Sequence, residues 1–235
     1  MQSALDANQA SRRSVIDKVS VFTAASETFS QKNTNASIAE TIERFRPVID
    51  SAHMQGLTVR GYVSCVIACP FEGPIDPSKV AEVSKALTDI GVDELDLGDT
   101  IGAGTRESTT TMLHAVDRVA PITHGRVPIT LHLHDTFGRA AECVLAALDL
   151  GVRSFDGSVA GLGGCPYASK KLPDGTIQRA PGNISTELLV QTINDAGYRT
   201  NVNLDKLREA AAFASEIVAK SRAANSTSSS GGAPA

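Results

Sequence analysis

Two histidines stand one residue apart in LHLHDTFG (131–138), inside an otherwise apolar stretch and directly before an aspartate. A strand alternates faces with period two, so His132 and His134 share one face while Leu131 and Leu133 take the other. Their side chains start roughly 6.5–7 Å apart, which lets both rings reach one metal ion at about 2.1 Å. The same pattern also suits a pair of hydrogen-bonded core histidines, or one buried and one exposed. Two imidazoles do not by themselves make a metal site.

A divalent ion would need further ligands. Asn183, in APGN (180–183), offers an amide oxygen of the kind Mg²⁺ or Mn²⁺ accepts, but it also stands where a loop residue would cap the helix beginning near Ser185. Asp135 is a ligand, a carboxylate orienting a histidine from behind, or the N-cap of the following helix, and the last two fit best. Cys165 lies in GLGGCP, where the glycines let the backbone bend and leave the thiol uncovered. Such a thiol can act as an acid or nucleophile, the alternative being a buried structural cysteine. Cys65, Cys69 and Cys143 fall in strands or helices and are expected to be reduced, buried thiols. The basic residues of SKKLPDGTIQRAPG (169–182) are read as solvated, or as attracting an anion.

These residues need a scaffold that brings them together, and the chain alternates strand and helix patterns. Strands are predicted at 18–25, 57–66, 93–100, 127–135 and 154–161. Helices are predicted at 37–56, with Ser37 and Glu40 in capping-box spacing, at 76–91, with Asp76 as N-cap and Pro77 at the first position, and at 108–120, 138–151, 185–197 and 203–223. Such alternation builds a parallel sheet, and no G-x-G-x-x-G follows the first strand. The predicted architecture is a (β/α) barrel, whose chemistry sits at the C-terminal ends of its strands. Asp99 and Thr100, then His132, His134 and Asp135, then GLGGCPY fall at three such ends. Five strands are counted against the eight of a closed barrel, so the expectation is a partial barrel over 1–222 with a disordered tail at 223–235.

Composition removes several function classes. A net charge of −4 without a basic stripe argues against nucleic acid. No apolar run approaches the roughly 20 residues of a membrane span, and residues 1–18 lack the apolar core of a signal peptide.

Taken together, RGYVSCVIACPFEG (60–73), LGDTIGAGT (97–105), LHLHDTFG, SVAGLGGCPYA (158–168) and VNLDKL (202–207) resemble the hydroxymethylglutaryl-CoA lyases over roughly residues 18–220. The resemblance implies a TIM barrel that cleaves 3-hydroxy-3-methylglutaryl-CoA into acetyl-CoA and acetoacetate, a step of leucine catabolism and ketone-body formation. It implies a divalent cation, Mg²⁺ or Mn²⁺, held by His132, His134 and Asn183 with an aspartate that would precede residue 1. Cys165 would protonate the departing enolate, and His132 or His134 would shuttle protons. Asp99 is placed by it among catalytic residues, and Thr100, Glu187 and Asn203 near the substrate. An acyl-CoA substrate, a homodimer when the barrel is complete, and a mitochondrial matrix location in a eukaryote (otherwise cytoplasm) go with it. The family's first strands would also precede residue 1, and the loop after Cys165 is several residues longer than the family's. Two other functions stand beside this one: a shortened, non-catalytic paralogue or isoform, and a related metal-dependent aldolase or Claisen synthase. The second is disfavoured by Cys165 and the H-L-H-D string.

Overall fold

The computed structural model describes residues 2–11, 15–163, 170–171, 177–178 and 182–228. Helix α1 (Gln2–Ala10) precedes β1 (Lys18–Ala24), and α2 (Glu27–Thr34) and α3 (Ile38–Met54) lead to β2 (Thr58–Ser64). Two antiparallel two-residue strands, β3 (Ala68–Cys69) and β4 (Gly73–Pro74), stand before α4 (Pro77–Asp89). Then come β5 (Glu94–Asp99), α5 (Arg106–Asp117), β6 (Ile129–Leu133), α6 (Ala140–Asp149) and β7 (Ser154–Asp156). A 3₁₀ turn (Val159–Gly161), the short pair β8 (Lys170–Lys171) and β9 (Ile177–Gln178), and helices α7 (Thr186–Asp195) and α8 (Leu204–Ser228) complete the described chain.

Strands β1, β2, β5, β6 and β7 form one parallel sheet in that order. These are the five predicted strands. The sheet has two unlike faces. Val59, Val63, Leu95, Leu97, Ile129, Leu131 and Leu133 point into the main core, where they meet Ile49 of α3, Leu87 of α4, Leu113 of α5 and Val144 of α6. The opposite face carries Arg60 and Tyr62 of β2, Glu94 and Asp96 of β5, Thr130 and His132 of β6, and Asp156 of β7, one strand's residues in register with the next. Period-two alternation thus sorts apolar side chains to the helical side and charge to the other. A parallel sheet with helices packed on one side and polar residues on the other is the wall of a (β/α) barrel, as expected.

Helix ends follow their caps. Ser37 and Glu40 form the predicted capping box of α3, and Asp76 accepts from the Ser78 amide at the start of α4. Ser37→Ala is expected to cost about 1 kcal/mol, read as a lower midpoint in urea denaturation. Helix α5 begins two residues before the expected 108, because Thr105 and Ser108 form a capping box of their own. Helix α2 is absent from the expectation. Its sequence ETFSQKNT shows little apolar periodicity, and Ser26, which accepts from the Phe29 amide, sets its start.

The last strand is shorter than 154–161. It ends at Asp156 because the chain turns under α7: a Cβ on Gly157 would lie 3.0 Å from Leu189, and Ala160 is left-handed at φ 58°. Helix α8 runs to Ser228, beyond the expected 223; residues 229–235 lie outside the described ones. Among the described residues no helix is long and apolar enough to cross a membrane.

Candidate metal centre on the polar face of the sheet

The polar face carries a chain of opposite charges. Arg60 donates through Nη1 to Asp96 Oδ2 at 3.0 Å and to both Asp156 oxygens at 3.1 Å, and its Nη2 lies 2.6 Å from Glu94 Oε1. Glu94 also pairs with Lys18 and accepts from the Thr130 hydroxyl at 2.6 Å. At the rim of this chain, His132 Nδ1 lies 3.3 Å from Asp156 Oδ2. Asp96, His132 and Asp156 each offer a ligand atom within 4.8 Å of the others, a grouping that could hold a metal ion.

Burial sets the charge states. Asp96 is fully buried, and burial together with the neighbouring negative Asp156 pushes its carboxyl up to about 8. Burial works on Asp156 too. There the hydrogen bonds with His132 and Asp96 and the Arg60 charge outweigh it and hold the carboxylate near 2. The two carboxyls therefore share one proton across neutral pH, as close like charges do. The hydrogen bond to Asp156 raises the His132 pKa, whereas burial, reinforced by the charge of His132, lowers that of His134 to about 4.

This arrangement has a consequence for stability. Folded Asp96 keeps its proton to about pH 8, while an unfolded aspartate loses it near 3.9. The folded state therefore binds the extra proton between those values, and stability falls as pH rises through that window. Asp156, depressed in the folded state, matters only below about pH 4. Asp96→Asn, which keeps the neutral shape, should flatten the dependence. A series of melts from pH 5 to 8.5 should show wild-type Tm falling by about 5 °C or more relative to the variant.

His134 lies just beyond β6, and its backbone bridges that of Asn183. The segment 182–185 is sewn to the strand ends: Ile184 N donates to Leu133 O, Asp135 N to Gly182 O, and Ser158 N to Ile184 O. Asn183 Nδ2 donates to Leu162 O at 3.0 Å, which turns its amide oxygen away from that partner. The Asn183 side chain lies beside both histidines. Among the described residues, the buried acceptors around the histidines without a hydrogen-bond partner are His134 Nδ1, Asn183 Oδ1, the Thr136 hydroxyl and, on the carboxyl side, Asp96 Oδ1. A neutral imidazole nitrogen and an amide oxygen are lone-pair donors that a divalent cation takes. With the ring of His132 5.6 Å from that of His134, the three side chains fit such an ion. Asn183 is free for this because Ser185, accepting from Leu188 N, caps α7.

The other expected site residues have partners of their own. Asp99 shares the face of Leu95 and Leu97, and its buried carboxylate accepts from Ala103 N and Gly104 N, holding the loop after β5. The Thr100 hydroxyl accepts from Cys65 N at 2.7 Å, and its backbone lies close enough to the His134 ring to oppose the lowering of that ring's pKa by burial. Glu187 accepts from the amide of left-handed Ala160, so it braces the turn entering the glycine-rich loop. Asn203 accepts from Lys206 N at the start of α8. Asp135 accepts from Ala140 N at the start of α6. Cys65, Cys69 and Cys143 are buried, as expected, and Cys165 lies outside the described residues. The Arg60–Asp96–Asp156 group was missed in the sequence, although alternating charges at Arg60, Glu94 and Asp96 within β-type runs were its signal.

The HMGL-like family model matches residues 2–214. A mitochondrial hydroxymethylglutaryl-CoA lyase from Bos taurus is 49% identical over 196 residues, which is 83% of this chain and 56% of that protein. The chain thus spans about half the length of the curated relatives it matches. The crystal structure of an HMG-CoA lyase from Brucella melitensis superposes with a TM-score of 0.79 at 42% identity, covering 92% of this chain and 71% of that one. An HMG-CoA lyase from Acinetobacter baumannii, solved with coenzyme A and 3-methylmalate, gives 0.73 at 29% identity, over 89% of this chain and 63% of that one.

Proposed function

The chain belongs to the HMGL-like family, and we propose that it contributes to a metal-dependent carbon–carbon lyase site that cleaves 3-hydroxy-3-methylglutaryl-CoA into acetyl-CoA and acetoacetate. The observation that carries this reading is the pair of buried, unpartnered acceptors, His134 Nδ1 and Asn183 Oδ1, beside His132 at the strand ends. Saturated polar networks do not leave two such atoms together without a ligand to take them.

His132, His134 and Asn183 hold the cation in this reading, Mg²⁺ or Mn²⁺ by the hardness of an amide oxygen. When bound, the ion supplies Lewis acidity toward the C3 hydroxyl and a carboxylate oxygen of the substrate. The hydroxyl proton leaves to water, C3 becomes a ketone, and the C2–C3 bond breaks with its electron pair passing to the thioester enolate. Cys165 then protonates that enolate carbon, giving acetyl-CoA. With Nδ1 engaged by Asp156, His132 has one nitrogen left, which we assign to the cation; a proton relay would compete for that same atom. Glu187 acts at one remove, holding the entry of the loop that carries Cys165. The coenzyme A in the Acinetobacter baumannii lyase supports an acyl-CoA substrate.

A second reading is a non-catalytic member of the family that keeps the site without turnover; it is favoured by the Arg60 charge already bonded to both acidic groups of the cluster beside His132. One assay separates them: acetoacetate release from 3-hydroxy-3-methylglutaryl-CoA with Mn²⁺, for the chain and for Cys165→Ala. Metal-dependent release that Cys165→Ala cuts by about 10²-fold or more supports the lyase. Mn²⁺ binding without release favours the second reading, and release indifferent to Cys165 removes the assigned acid.

A further inference from the structure

We infer that Asp156 is the positioning residue of His132, and that Arg60 holds Asp156 in place to do it. This rests on the cation site proposed above. The two residues stand directly opposite in the β6–β7 register, and Asp156 Oδ2 lies 3.3 Å from His132 Nδ1. A carboxylate on one ring nitrogen fixes the tautomer with its proton there and leaves the lone pair on the other, which is how metal-binding imidazoles are commonly oriented.

Asp156 is itself held. Arg60 Nη1 donates to both of its oxygens, and the same guanidinium bonds Asp96 and Glu94. That guanidinium decides between two roles for the Asp96, His132 and Asp156 group. Their spacing would suit a cation, but the Arg60 guanidinium, a full positive charge, already bonds both carboxyls, which hold one negative charge between them, and a second cation would be repelled. Asp96 Oδ1 is unpartnered as well, but it lies in the group that Arg60 already holds; that group is therefore the anchor behind His132, and the cation belongs with the unpartnered atoms of His134 and Asn183, which face no such charge. Asp135, the carboxylate nearest in sequence, is engaged at the start of α6.

The test compares Asp156→Asn with Asp96→Asn in the full chain. Each neutralises one carboxyl of the same cluster, but only Asp156 touches Nδ1. Long-range ¹H–¹⁵N correlation spectra at pH 9, without metal, should show His132 protonated at Nδ1 in wild type and in Asp96→Asn, and a mixture of tautomers in Asp156→Asn. Mn²⁺ affinity by electron paramagnetic resonance should weaken 10–100-fold in Asp156→Asn and by less than about 3-fold in Asp96→Asn. An unchanged tautomer in Asp156→Asn overturns the inference, and so does equal loss of Mn²⁺ affinity in both variants. Should wild type bind no Mn²⁺, the cation site itself fails, while the tautomer spectra still decide the role of Asp156. If Asp156→Asn folds poorly, Arg60→Lys, which surrenders the fork that grips Asp156, should loosen the same tautomer.

Discussion

Replacing His134 by alanine is expected to abolish the thermal stabilisation that Mn²⁺ gives the wild-type chain, with little change in the metal-free protein. Burial lowers the His134 pKa to about 4, so the ring is neutral at pH 7 and its unpartnered Nδ1 is a buried acceptor. Leaving such a group unsatisfied costs about 1–3 kcal/mol. Alanine removes that penalty and loses packing of comparable size, so the Tm in EDTA should stay within about 2 °C. The metal-bound state responds differently. At 100 times Kd a ligand that binds only the folded state adds about 2.7 kcal/mol, or about 5–10 °C for a chain of this length. Wild type should show that shift and the variant none. Scanning fluorimetry across a Mn²⁺ titration measures it. An undiminished shift in His134→Ala would move the cation to the group formed by Asp96, His132 and Asp156.

That placement follows from what the sequence states about faces. Period two put His132 and His134 together, and the structure agrees. Applied to DELDLGD, it puts Asp96 with Glu94 on the polar face and Asp99 with Leu95 and Leu97 on the other. Asp99 drew attention because it ends a strand, yet its parity aims it at loop amides under the core side. The strands and most helices were legible because caps such as Ser37 and Asp76 and the apolar runs are local signals. The partners of Arg60 were not legible. They come from β5 and β7, and only strand order brings Asp96 and Asp156 to one guanidinium. Asn183 is the same case from the other side. Its surroundings are made by residues 158–163 returning against 182–185, a pairing no local pattern announces.

Gly182→Ala should test that pairing most severely. A Cβ at Gly182 would stand 1.9 Å from the carbonyl oxygen of Gly163 and 2.3 Å from that of Gly161. Both obstacles are backbone, so no rotamer change relieves them, and the two loop stems must part. Parting breaks the contacts that carry the site, since Gly182 O accepts from Asp135 N and the next residue, Asn183, gives its Nδ2 to Leu162 O. The expected cost exceeds about 3 kcal/mol, at the top of the range for overpacking, which is a fall of about 6–12 °C in Tm. Mn²⁺ affinity should fall with it, because the Asn183 amide oxygen moves with the stem. Gly138→Ala supplies the control. Gly138 has a positive φ, 69°, and nothing lies within 4 Å of its added Cβ. Only the left-handed backbone penalises it, by about 1–2 kcal/mol, and its Mn²⁺ affinity should stay close to wild type. If the two alanine variants lose metal affinity equally, the close approach of the loop stems is not what holds Asn183 against His134.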